Sequence, residues 1–339
     1  MPTRKQRLIG VALVVAVAAA LAIGFLGTPD RASAPPVFVE KLSIALPTVP
    51  HAALLQIAAA KGFFAEEGLD VTLVSASHGK AALELMVQGK ADLATAAEVP
   101  FVIGVMKGET FGIAASVVNV SLGNAVLARR DRGIALPRDL TGKKVGVTFG
   151  TTSEYFLWMY LIRHRVPPDS VTLVDIPPAR LQHDLVMGTI DVIATWQPLA
   201  SNAERALGEN AVSFSAPDVY AETHVVIGRS DFLRAHPQMI VKLVRALLEA
   251  ERFARAQPEQ ALNLVAERLK VGVNVLQPTW KGFDFTVELP QTQLVIMEDV
   301  ARWAMARGYV KKGPVPNFLP HLYLDALLAV RPERVTVVR

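Results

Sequence analysis

Gly150-Thr151-Thr152-Ser153-Glu154 places three hydroxyls and a carboxylate directly after a β-type run, Lys144-Val145-Gly146-Val147-Thr148. A glycine, hydroxyls and an acid at a strand-to-helix turn suit four chemistries. These are a phosphate loop, a nucleophile's elbow, a ligand clamp and a capped helix start. A Walker loop needs Gly-x-x-x-x-Gly-Lys followed by Ser or Thr, which is absent; Gly142-Lys143-Lys144 stands before the strand, not after it. An elbow needs Gly-x-Ser-x-Gly, also absent. The other two readings stay open together. Thr151 to Glu154 has capping-box spacing, with Thr151 as N-cap and Glu154 reaching back to its N–H. A helix N-terminus also attracts anions, so Thr151, Thr152 and Ser153 are candidate ligand contacts.

Further candidates sit in comparable turns. Trp196 and Gln197 precede Pro198 after a short apolar run. They read as an aromatic wall with an amide, or as a core ring beside a turn. Glu98 occupies the matching turn, with Thr95 before it; its carboxylate can accept an amine or cap the next helix. Thr48 and His51 lie in an earlier polar loop, and His51 can donate to an anion. Ser75, Ser77 and His78 precede another helical run, where capping is the alternative. Asn119 is a ligand candidate or a turn residue. His164, His183, His224, His236 and His321 form no His-x-x-x-His or His-Glu-x-x-His motif, so no metal site and no cofactor are expected.

The elements that must position these residues come from an internal duplication. Val71–Val74 and Val171–Val174 both read VTLV. A strand-like run precedes each copy: Leu42–Leu46 in one, Val145–Phe149 in the other. A polar loop and an apolar helical run follow each strand, at Ala52–Lys61 and Tyr155–Arg165. After each VTLV comes a helical segment ended by glycine, then Gly-x-x-Asp (Gly89 to Asp92, Gly188 to Asp191), a strand and a second polar loop. Such glycines end helices in a left-handed conformation. Strands alternating with helices build parallel sheets covered on both faces. Ligands bind beyond the carboxyl ends of such strands, where all four polar loops lie.

The expected fold is therefore α/β with two similar lobes around one cleft. Asn124–Arg129 and His224–Arg229 read as two hinge strands. Residues 37–125 form the first lobe and 126–223 the second; 224–339 return to the first lobe and add helices. Those helices are expected at Pro237–Ala256, Pro258–Leu269, Glu288–Arg307 and Leu319–Ala329, with Trp303 in the core.

Residues 1–36 read as a signal or membrane anchor with a linker. Arg4, Lys5 and Arg7 precede an uncharged run of 19 residues, Leu8 to Leu26. As a helix it would be about 28 Å long, near bilayer thickness. Signal cores are shorter, roughly 7–15 residues, which favours an uncleaved anchor despite the cleavage-like Ala32-Ser33-Ala34. Either reading puts the rest of the chain outside the cytoplasm. The 339 residues carry a net charge of +4 with no basic stripe, so nucleic acid is not an expected partner. There are no cysteines, which excludes disulfides, thiol nucleophiles and a lipoprotein anchor.

The sequence resembles the solute-binding proteins of ABC importers for nitrate, sulfonate and taurine, with thiamine-precursor-binding relatives. The resemblance is carried by Ala58–Val71, Gly89-Lys90-Ala91-Asp92, Asp139–Gly146, Gly188-Thr189-Ile190-Asp191, Trp196-Gln197-Pro198 and Ser230-Asp231-Phe232-Leu233. It implies a type II periplasmic-binding fold that closes on a small anion or zwitterion such as a sulfonate, taurine or nitrate. It also implies delivery to a membrane permease driven by a cytoplasmic ATPase, by a monomer without enzymatic turnover. An enzyme on the same fold, pyrimidine-synthase-like or lyase-like, is the alternative. The cysteine-rich motif of the yeast-type synthase is missing, and no nucleophile, base and orienter constellation is visible. The hydroxyls, Gln197 and a helix N-terminus suit a sulfonate, carboxylate or nitrate, while Glu98 and Glu154 argue against a bare anion and allow a zwitterion or an amine-bearing ligand.

Overall fold

The computed structural model describes residues 39–338. The Leu8–Leu26 run lies outside them. Among the described residues, no helix is long and apolar enough to cross a membrane.

The chain first lays down β1 (Glu40–Pro47), β2 (Leu69–Ala76) and β3 (Leu93–Ala97), then β4 (Phe111–Val120). β5 (Asn124–Arg129), β6 (Lys144–Val147), β7 (Thr172–Asp175), β8 (Val192–Trp196) and β9 (Ala211–Phe214) follow. β10 (Glu222–Arg229) and β11 (Phe283–Asp284) complete the set. They form two sheets, in the orders β11-β4-β10-β3-β1-β2 and β7-β6-β8-β5-β9. In each sheet the first strand of the duplicated unit pairs in parallel with the second and third: β1 with β2 and β3, β6 with β7 and β8. Next to each third strand lies an antiparallel one, β10 beside β3 and β5 beside β8.

The two segments expected as hinge strands are thus interior members of opposite sheets. The chain passes between sheets just before each of them, at residues 121–123 and 215–221. β4, buried along nearly its whole length, has no counterpart in the reading of the sequence.

The Gly-x-x-Asp repeat has a structural cause. Gly89 and Gly188 end their helices at φ 70° and 74°. Asp92 Oδ2 then accepts from the Ser43 N–H at 2.8 Å, and Asp191 Oδ2 from the Lys144 N–H at 2.9 Å. Each aspartate, just before the third strand, fastens it to the first strand. The matching residues are therefore the joints of the lobes, not ligand contacts.

Apolar helices cover both faces of each sheet. The duplicated helices run Ala53–Lys61, Gly79–Val87, Thr152–Arg163 and Pro178–Val186. Helices Pro237–Ala256 and Pro258–Leu269 stand as expected. The helix expected from Glu288 begins at Gln291, after Pro290. Leu319–Ala329 is not one helix: a single turn at Leu319–His321 runs into extended backbone at Leu322, and a helix follows only at Asp325–Val330. Trp303 is 1% exposed and packs edge-on against Tyr155, a core position.

Candidate functional site

The carboxyl ends of the parallel strands in both sheets meet around one cavity. The first lobe supplies Val49 and His51 after β1, His78 and Lys80 after β2, Ala97 and Pro100 around the end of β3. The second supplies Thr151 and Thr152 after β6 and Trp196 at the end of β8. Glu222 and His224 reach it because β10 is antiparallel. It starts where β3 ends, with His224 opposite Ala97. Alternate residues of a strand share a face, so Glu222 and His224 point the same way.

Of the residues singled out from the sequence, this cavity gathers His51, Thr151, Thr152 and Trp196. Thr48, Ser75 and Ser77 are exposed beside it, with Ser77 Oγ 2.9 Å from His78 Nδ1. Thr95 and Asn119 lie within β3 and β4, where side chains pack between strands and helices. Gln197 turns away and accepts from the Ser201 hydroxyl at 2.7 Å. Ser153 donates to Asn124 Oδ1 at 2.9 Å, inside its own lobe.

The opening loop is a helix start without the expected capping box. Thr151 has the extended backbone of an N-cap, but its hydroxyl donates back to the Thr148 carbonyl at 2.7 Å. Glu154 does not reach the Thr151 N–H. It accepts from the Gly150 N–H at 2.8 Å, from Arg307 at 3.2 Å and from the Tyr309 hydroxyl. A guanidinium outbids one backbone amide for a buried carboxylate. The first turn of helix Thr152–Arg163 is left facing the cleft with no side-chain cap.

Glu98 is also withdrawn. It is fully buried, accepts from the Thr223 N–H at 3.0 Å and is bonded to the Tyr220 hydroxyl. Burial pushes its carboxyl up to about 8, and nearby Glu222 adds to this against the hydrogen bonds. Glu98 is therefore mostly protonated at neutral pH. A carboxyl whose folded pKa is raised contributes stability that falls as pH rises from its ordinary 4.5 towards about 8. Glu98→Gln keeps the shape and removes the titration. Urea melts at pH 5 and pH 8 are expected to show the variant gaining on the parent by at least about 1.4 kcal/mol, one pKa unit's worth. A constant difference between the two pH values would refute a protonated Glu98.

The cavity floor carries a charge pair. His51 Nε2 lies 2.5 Å from Glu222 Oε1, and both side chains are at most 2% exposed. Burial alone would raise the Glu222 carboxyl; His51, with help from His224 and the Thr152 hydroxyl, holds it at about 2 instead. Burial and the neighbouring His51 push His224 down to about 3, so its ring is neutral. Lys80 Nζ reaches across the cleft to the Phe149 carbonyl at 3.3 Å. His78 and Trp196 face one another from opposite lobes, ring centres 6.0 Å apart.

Residues 49–261 match the family described as NMT1/THI5 like. The chain belongs to this family. It is 24% identical over 218 residues to a putative binding protein of Brucella abortus, spanning 63% of this chain and 67% of that one. It is 24% identical over 285 residues to a bicarbonate-binding protein of Synechococcus elongatus, spanning 75% and 63%. The periplasmic aliphatic sulphonate-binding protein of Escherichia coli has the same fold, with a TM-score of 0.72 at 17% identity over 85% of this chain and 98% of that one.

In this NMT1/THI5-like chain, the residues missed from sequence were Lys80, Glu222 and Arg307. Glu222-Thr223-His224 did carry a signal: two ligand-type side chains in alternation at the start of a strand. Motif spacing could not reveal it, because the third member, His51, comes from another strand end. Lys80 and Arg307 gave no local signal.

Proposed function

We propose that this protein is the extracytoplasmic solute-binding component of an ABC importer and that its cargo is a small anion or zwitterion. The NMT1/THI5-like family, the two-lobed fold and the bicarbonate- and sulphonate-binding relatives support the role. One observation carries the ligand class: the two carboxylates expected from the sequence to repel an anion are withdrawn, and the third on the cavity, Glu222, is held against His51. Glu98 holds a proton, and Glu154 is paired with Arg307. The cleft keeps an uncapped helix N-terminus with Thr151 and Thr152, the ammonium of Lys80, and Trp196 as an apolar wall. Helix termini and a fixed ammonium both favour negative charge. Binding draws the lobes together, and a permease recognises the closed form. The carrier acts as a monomer without turnover, and Leu8–Leu26 anchors it or directs its export.

A thermal-shift panel of alkanesulfonates, taurine, nitrate, bicarbonate and short carboxylates tests this. At least one is expected to raise the melting temperature, since a ligand at 100 times its Kd adds about 2.7 kcal/mol. Lys80→Ala with Thr152→Ala is expected to weaken that ligand more than about tenfold, a loss of about 1.4 kcal/mol. No shift from any anion, or consumption of one, would sink the proposal.

A further inference from the structure

His51 Nε2 and Glu222 Oε1 stand close together, yet neither makes a well-formed hydrogen bond among the described residues, and all three groups on the cavity floor keep a buried atom without a partner there. His224 is 5% exposed, and its Nδ1 has no hydrogen-bond partner among the described residues; nor does His51 Nδ1. A buried polar nitrogen without a partner is costly, at about 1–3 kcal/mol. The His51 and His224 rings lie 4.6 Å apart, and one donor atom each from His51, Glu222 and His224 falls within a 4.8 Å span. A tetrahedral ion with bonds of about 2.0–2.1 Å holds its donors roughly 3.3 Å apart, inside that span. Opening the His51–Glu222 contact from 2.5 Å by about 0.8 Å, with all three donors brought to that spacing, would complete the geometry.

A second feature keeps this place clear. Gly123, in the first crossing between the sheets, faces the same atoms. A Cβ there would stand 2.5 Å from Glu222 Oε1 and 3.0 Å from His51 Nε2. Glycine at this position lets the backbone pack closely against the very atoms that would act as donors.

We propose that His51, Glu222 and His224 bind a divalent transition-metal ion in the floor of the cleft, with an open position that takes an oxygen of the carried anion. Two imidazoles and one carboxylate suit Zn²⁺, Co²⁺ or Ni²⁺ and disfavour the oxygen-seeking Mg²⁺ and Ca²⁺. Three protein donors leave a tetrahedral ion one position, and that position faces Thr152 and the cavity. Lys80, on the same cavity, then balances charge on the part of the anion away from the metal. Metal binding stands on the cluster alone; the bridging role rests on the anion-carrier reading.

Calorimetric titration of chelator-treated full-length protein with CoCl₂ and ZnCl₂ tests it, with visible Co²⁺ absorption reporting nitrogen coordination. One ion per chain is expected, with no comparable uptake of Mg²⁺ or Ca²⁺. His224→Ala and His51→Asn are each expected to weaken uptake more than about tenfold, as loss of even an outer partner can do. Absence of stoichiometric uptake overturns the site, as does uptake unchanged in folded His224→Ala. Should those variants fail to fold, the Co²⁺ spectrum of the native protein decides, and one without nitrogen coordination overturns the site. Anion affinity that is equal with and without Zn²⁺ overturns the bridging role. Intact metal uptake with no anion bound would instead count against the carrier reading.

Discussion

Arg307→Ala is expected to weaken ligand binding by about a hundred- to a thousandfold while scarcely moving the melting temperature of the ligand-free protein. Glu154 is 1% exposed and belongs to the second lobe. Arg307 and Tyr309 follow helix Gln291–Ala306, which packs against helix Glu98–Met106 of the first lobe. The pair therefore spans the lobes and forms only when they are together. Removing one partner of a buried ion pair costs about 3–5 kcal/mol, because the remaining charge has neither water nor counter-charge. In an open form Glu154 regains water, so the loss falls on closure rather than on folding. Closure is coupled to binding, and each 1.4 kcal/mol is about tenfold in affinity. Calorimetric titration with the best ligand of the panel, beside a melt of the free protein, separates the two effects. Equal losses in both would mean that the pair supports the fold and not the closed state. Arg307→Ala with Glu154→Gln should recover part of the affinity, since no buried charge is then left alone.

The fold was legible because its determinants repeat along the chain. VTLV and Gly-x-x-Asp recur in the same order, and each copy turned out to be a parallel unit stapled by its aspartate. Helix starts at proline and ends at glycine were equally readable. Thr151, Thr152, Trp196 and His51 could be placed at the cleft because position after a strand is a local property. What stayed hidden depends on partners distant in sequence. Glu154 looked like half of a capping box, a local pattern; Arg307, 153 residues away, competes for it and wins. Glu98 looked like an acceptor for an amine or a helix cap, yet Tyr220 of the second crossing and Thr223 of β10 close over it. Both carboxylates weighed against a bare anion in the sequence, and in the structure both are tied to partners outside their own loops. Ser153 and Gln197 have the right chemistry at the right loops, but Asn124 and Ser201 consume their hydrogen bonds.

His51→Ala is expected to destabilise the fold by about 3–5 kcal/mol at pH 7 and to invert how stability responds to acid. Glu222 and His51 lie in one lobe, so opening the cleft does not rehydrate the pair fully, unlike Glu154 and Arg307. With His51 present, the Glu222 carboxyl is held at about 2, below its ordinary 4.5. Its contribution is therefore fully present above pH 4.5 and lost as pH falls through about 2. Without His51 the main force holding the value down is gone, and burial, the largest single influence, pushes it up. A raised carboxyl is most stabilising when protonated, so the variant should gain more stability on acidification than the parent, whose Glu222 gives no such gain. Urea melts at pH 4.5 and pH 7 read this directly as a loss that shrinks at the lower pH. Comparing variant with parent at each pH largely cancels the slope of the same sign that Glu98 contributes to both. His51→Ala with Glu222→Gln removes the buried charge and should restore much of the loss at pH 7. If the double variant is as unstable as the single one, the missing energy belongs to the packing of the His51 ring against Phe283 and His224, and not to its charge.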